Sequence, residues 1–171
     1  MRVIDQIYIH CSYHPYGDFD LIDKWHRERE FPSYFDPYRK RTCWCGYHYL
    51  VCNPYLTYTQ YKKGAHFTSI SDGKLVPARP TSIKGAHVRG ANYRSIGIMY
   101  HGITPTPLQL ETMYDLCVDL IIEHNIDLAT GVLGHHEYYT LHGQPMIKTC
   151  PNFDMPAFRA GLEWRLNVRL A

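Results

Sequence analysis

The stretch GHHEYYTLHGQPMIKTCPNFD, Gly134 to Asp154, concentrates side chains that bind metals and activate water. It opens with two adjacent histidines and closes on Lys148-Thr149-Cys150-Pro151. Imidazole nitrogen and thiolate sulfur are ligands that suit zinc. A site with three protein ligands leaves the fourth tetrahedral position to water, whose pKa then falls to about 7. His10, His135 and Cys150 make such a set on residue type. His10, Tyr47 and His135 each stand where an apolar run begins or ends, and Pro151 braces the loop bearing Cys150. Strand ends suit this work, because a rigid element holds the side chain while its tip faces a cleft. None of these spacings is a local metal signature, so spacing alone leaves hydrogen-bonded structural histidines as the alternative.

The elements that must position these residues are legible as periodicities. Val3–Cys11 reads as a buried strand with His10 at its end. DFDLIDKWHRERE (18–30) places Leu21, Ile22 and Trp25 on one helical face with charges opposite, and Pro32 stops that helix. Residues 32–45 read as a long irregular connection. GYHYLVCN (46–53) alternates like a strand, 54–66 reads as an extra loop, and TSISDGKLVPARP (68–80) as a hairpin turning at Asp72-Gly73. RSIGIMYHG (94–102) is expected to be a central strand. Thr106 and Gln109 form a capping box with Pro107 at the first helical position, opening a helix to about Asn125. Its inward residues are Leu110, Met113, Tyr114, Cys117, Leu120 and Ile121. GVLGHH reads as a short strand ending at the histidines, and Asp154 caps a last helix bearing Phe158, Leu162 and Leu166. Strands and helices interleave, so the expected class is α/β: a central mixed β-sheet flanked by α-helices, one domain over 1–171 with inserted loops.

Composition narrows the function. At 171 residues and 45% hydrophobic content the chain has the make-up of one globular domain. A formal net charge of +2, with Arg39-Lys40-Arg41 as the densest basic cluster, leaves no nucleic-acid footprint, and no such partner is expected. No stretch reaches the roughly 18 apolar residues of a membrane span. MRVIDQIYIHCS lacks the continuous apolar core of a secretory signal, so the expectation is synthesis in the cytoplasm and later release or delivery. Six cysteines without a signal are expected as thiols or metal ligands rather than disulfides. The 15 tyrosines offer flat faces with a hydroxyl tip, suited to sugars and peptides. Seven of them fall within 34–61, which is expected to form part of a groove wall.

Five motifs, IHCS (9–12), GYHY (46–49), GAHVRGANYRSIGI (85–98), GHHE (134–137) and KTCPNFD (148–154), stand in one order. In that order the chain resembles zinc-dependent N-acetylmuramoyl-L-alanine amidases of the phage-lysozyme type, relatives of peptidoglycan recognition proteins, from about Ile4 to Asp154. The resemblance implies hydrolysis of the amide between the lactyl group of N-acetylmuramic acid and L-alanine, with peptidoglycan or muropeptide as partner. It implies one zinc ion per chain on His10, His135 and Cys150, with Tyr47 and Lys148 catalytic and His87 a substrate contact on the groove wall. His136 then supports the loop, and Glu137 is either a partner behind the ligands or solvated.

This chain departs from the pattern at 32–45, after Val51-Cys52, and between His135 and Cys150, where it is longer. Those insertions bear on groove shape and touch no ligand. Two other functions fit the same motifs: a muropeptide-recycling amidase in the cytoplasm and a non-catalytic peptidoglycan-binding module. The second commonly lacks the cysteine that Cys150 supplies. The sequence sets no oligomeric state.

Overall fold

Alternation along one strand decides which way the site faces. β1 (Gln6–Cys11) buries Ile7, Ile9 and Cys11 on one side and Tyr8 and His10 on the other. In the computed structural model, which describes residues 2–64 and 70–171, β1 lies in a five-stranded sheet of order β5-β4-β6-β1-β7. The partners are β4 (Tyr49–Val51), β5 (Leu75–Pro77), β6 (Ser95–Tyr100) and β7 (Val132–Gly134). β1 pairs in parallel with β6 and β7, β4 pairs in parallel with β6, and β5 runs antiparallel to β4. The sheet is therefore mixed, as expected, and β6 is its middle strand.

Helices cover the two faces. α3 (Pro107–His124) and α6 (Met155–Leu170) pack Met113, Cys117, Leu120, Phe158 and Leu162 against Ile7, Ile9, Ile96 and Ile98. α3 carries the capping box of Thr106 and Gln109, Pro107 opens it, and Asn125 closes it in the left-handed conformation. Asp154 caps α6 through the Ala157 N–H. On the opposite face, α1 (Phe19–Glu28) brings Phe19 and Ile22 onto Leu50, Met99 and Ala78. No helix among the described residues is long and apolar enough to cross a membrane.

Three segments differ from the sequence reading. The 32–45 connection holds a small antiparallel pair, β2 (Tyr34–Asp36) with β3 (Arg41–Cys43). The loop after Asn53 contains a short helix, α2 (Tyr58–Lys63), because Thr57 and Gln60 form a second capping box. The hairpin expected within 68–80 turns at Asp72-Gly73, where Gly73 takes a positive φ of 74°. Its strands are β4 and β5, however, and Thr68 and Ser69 lie outside the described residues. α4 (Leu128–Gly131) and α5 (His135–Leu141) bracket β7, so His135 begins a helix directly after that strand.

Candidate active site

Parallel register brings the first two candidate ligands together. Ile9 of β1 lies opposite Gly134 of β7, so the next residue of each segment emerges at one end of the sheet. Those residues are His10 and His135, with ring centroids 4.7 Å apart. Cys150 reaches the same place from the loop before α6. The Cys11 N–H donates to its Sγ at 3.1 Å, and the His136 N–H and Nδ1 both donate to its carbonyl, at 2.8 and 2.9 Å. One ligand atom from each of His10, His135 and Cys150 lies within 4.8 Å of the others, and all three residues are buried. A tetrahedral zinc with bonds of about 2.1 Å to nitrogen and 2.3 Å to sulfur needs such atoms roughly 3.4–3.6 Å apart. The set fits that ion after small side-chain rotations.

The hydrogen bonds behind His10 fix which nitrogen faces a cation. Ser95 Oγ donates its single proton to the Ala91 carbonyl at 2.9 Å, so toward His87 Nε2, 3.4 Å away, it accepts. His87 Nε2 therefore carries a proton. Burial, with the charges of neighbouring histidines next, holds the His87 pKa well below its ordinary value, so the ring is neutral and its Nδ1 is bare. That atom lies 3.2 Å from His10 Nε2, which must donate. His10 is left with a lone pair at Nδ1.

His87, expected on the groove wall, lies beside His10 and is not among the residues that line the cavity. Gly97 makes room for it, since a Cβ there would stand 2.6 Å from the ring.

A cavity of about 680 Å³ opens over the three residues, with Tyr47 and Lys148 in its wall. The Tyr47 ring lies 5.0 Å from that of His10. Ile22, Trp25, His26 and Arg29, spaced along one face of α1, close another side. Of the seven tyrosines in 34–61, only Tyr47 lines this cavity. Tyr34 is core, Tyr38 is 84% exposed, and Tyr58 and Tyr61 gather around Tyr16. Glu137, only partly exposed, lies behind His135 and outside the cavity lining: it accepts from the Gly134 N–H and pairs with Arg159 through both oxygens at 2.9 Å.

Burial sets the protonation states. It lowers His135 to about 4, helped by the Lys148 charge, and holds His10 well below the ordinary value, with His135 and His87 adding to the effect. Both imidazoles are neutral and able to ligate. The contact with Cys11, then burial, raises the Cys150 thiol in the absence of a cation. A bound divalent ion reverses that balance and takes the thiolate. Burial also raises the Tyr47 phenol, which stays a neutral donor.

The profile of the N-acetylmuramoyl-L-alanine amidase family matches residues 1–153. The chain belongs to this family. Two phage relatives align with the chain over 101 residues: an endolysin of Klebsiella phage KP32 at 28% identity and one of Escherichia phage T7 at 29%. Each alignment spans 54% of this chain and 60% of the phage protein. Among solved structures, the N-acetylmuramoyl-L-alanine amidase LysC from Clostridium intestinale superposes with a TM-score of 0.66 at 22% identity. That superposition covers 94% of this chain and 85% of that one, and it shows a shared fold.

The contribution of α1 to this site went unread in the sequence. Asp23 falls among the charges expected opposite the apolar face and His26 carries no sequence expectation, yet both are buried. Asp23 Oδ1 accepts the N–H of Trp44 and, at 2.8 Å, that of Cys45, and His26 Nδ1 accepts that of Gly46 at 2.8 Å. These bonds fix the backbone immediately before Tyr47. The spacing 22, 25, 26, 29 is one helical stripe and was the available signal.

Proposed function

We propose that this amidase-family protein hydrolyses the amide joining the lactyl group of N-acetylmuramic acid to L-alanine in peptidoglycan, and that it does so with one zinc ion held by His10, His135 and Cys150. The observation that carries the reading is the meeting of these three buried residues with Tyr47 and Lys148 in one cavity. Bound zinc would supply a Lewis acid for the amide carbonyl and a water acidic enough to attack at neutral pH.

The chain's own groups do the rest. The bond between His87 and His10 keeps the His10 proton on Nε2 and its Nδ1 free to ligate. Tyr47, neutral and fixed by the 44–46 backbone, donates a hydrogen bond to the oxygen that gains charge as the carbonyl becomes tetrahedral. Lys148 brings a positive charge to that oxygen and a proton to the departing L-alanine nitrogen. These interactions strengthen as charge develops, which is what lowers a barrier. Both phage relatives are named endolysins, which supports wall lysis as the biological role.

The test is mass spectrometry of purified sacculi digested with the protein, with and without chelator. The expected products are stem peptides with free L-alanine amino termini, lost on chelation and restored by zinc. New reducing sugar ends in place of free amino termini would overturn the assigned bond. Cleavage that survives exhaustive chelation would overturn the zinc. Clearing of intact sacculi separates a lytic enzyme from one that acts only on soluble muropeptides.

A further inference from the structure

The cavity holds a cation that the chemistry above does not use. Among the described residues its charged groups are Lys148 and Arg29, and no carboxylate lines it. Arg29 caps the C-terminal end of α1, where the helix dipole favours positive charge, and its backbone N–H donates to the Trp25 carbonyl at 3.2 Å. Its side chain makes no hydrogen bond or ion pair among the described residues. Arg39, Arg41, Arg94 and Arg159 are committed to carboxylates, and Arg79 to the carbonyls of Cys45, Lys84 and Pro32; Arg27 and Arg89 share the lack of such a partner but do not line the cavity. Glu28, the adjacent acid, shares a smaller neighbouring cavity with Arg29 and ion-pairs with Lys24 at 3.9 Å. Arg29 and His26, three positions apart, both line this wall, and after burial the Arg29 charge is the next cause lowering His26 to about 4.

A guanidinium presents a planar fork of donors that matches a carboxylate with two parallel hydrogen bonds. In the proposed substrate the sugars bring hydroxyls and neutral amides, whereas the stem peptide brings carboxylates. We infer that Arg29 is a specificity-determining residue that takes a carboxylate of the stem peptide while Lys148 works at the scissile amide. The inference rests on the amidase reading above, and it says which side of the substrate lies along α1: the peptide side.

The test compares two soluble muramoyl tripeptides, one with its stem carboxylates free and one with every stem carboxylate converted to the amide. The readout is the ratio of kcat/KM between them for the wild type, Arg29→Gln, Arg29→Lys and Arg89→Gln. The last removes the same charge at an exposed position outside the cavity. Zinc content and melting temperature are measured alongside.

A charge-assisted pair of this kind gives about a tenfold or larger preference. The wild type should prefer the free carboxylates by that factor, through KM. Arg29→Gln should bring the ratio toward one, Arg29→Lys should fall between, and Arg89→Gln should match the wild type. A wild type without preference, or Arg29→Gln with the preference intact, overturns the inference. If the wild type cleaves neither peptide, it is the amidase reading that fails. Calorimetric binding of the two free stem peptides to wild type and Arg29→Gln then decides Arg29: a preference for free carboxylates lost in the variant upholds it, and equal binding overturns it.

Discussion

At the scale of single residues, the site divides into groups that would hold a metal and groups that would act on substrate, and the two classes should fail differently. Ala at His10, His135 or Cys150 removes one proposed ligand from a buried set. Zinc and activity should go together, and the melting temperature should fall, because metal bound only to the native state adds its binding free energy to stability. Tyr47→Phe and Lys148→Ala remove no ligand. They should keep full zinc and near-normal melting while kcat drops by roughly 10²–10³, the usual cost of losing one group that stabilises an oxyanion. KM should move little, since those interactions are made in the transition state. Zinc content, melting temperature and amidase rate on the five variants check the division. Loss of zinc from Lys148→Ala, or wild-type turnover in it, would remove Lys148 from the mechanism.

At the scale of elements, α1 does more than cover a sheet face. Asp23 is 4% exposed and holds two backbone N–H groups of the turn leading into Tyr47, with Arg41 beside it at 3.4 Å. Asp23→Ala leaves those donors buried without an acceptor, at about 1–3 kcal/mol each before any relaxation. The melting temperature should fall, and kcat should fall with it although Asp23 lies outside the cavity, because Tyr47 loses its fixed backbone. Asp23→Asn retains one acceptor oxygen and should recover part of both. An Asp23→Ala enzyme that is less stable but has full kcat would show that Tyr47 is positioned without the turn.

The same helix marks where sequence reading runs out. Strands β1 and β6 and helices α3 and α6 are legible because period-two and period-3.6 patterns report burial directly, and Thr106 and Asp154 announce their helices. His10 and His135 are legible as residue types at element ends and Cys150 as a thiol in a loop braced by proline, and the five motifs supply their order. His26 shows only through the 22, 25, 26, 29 stripe. Asp23 is not legible, because a polar residue on a helix reads as solvated until the segment that needs its acceptor, forty to fifty positions into the chain, folds against it. Nor is the pairing of β4 with β5, since a strand's partner depends on where an insertion returns the chain.

At the scale of the whole molecule, the fold stores neutral histidines that acid should find. His26 and His48 accept backbone N–H bonds from Gly46 and Gly97 at 2.8 and 2.9 Å, and burial lowers them to about 4 and about 3. His101, wholly buried, is lowered to about 4, by burial first and then by the His14 charge, and neither ring nitrogen has a partner among the described residues. An unfolded histidine titrates near 6.5. Between that value and the folded ones the unfolded chain binds more protons than the native state, so stability rises with pH there. The contribution is fully present above about pH 6.5 and is lost as pH falls toward the folded values of about 4 and about 3.

Chelated protein isolates this effect from proton competition at the metal. Its unfolding free energy should decline from about pH 6.5 to 4.5, a window that ordinary carboxylates enter only at its acid end, by up to about 1.4 kcal/mol per pH unit for each such histidine. His101→Leu removes one proton uptake and gives up no hydrogen bond seen among the described residues. An imidazole buried without partners carries a desolvation cost that an aliphatic side chain of similar volume does not. The variant should therefore match or exceed the wild type in stability at pH 7 and lose less of it on acidification. Denaturant titrations across pH 4.5–7 measure both slopes. Identical slopes would mean that His101 meets a partner in the native state and titrates there as it does unfolded.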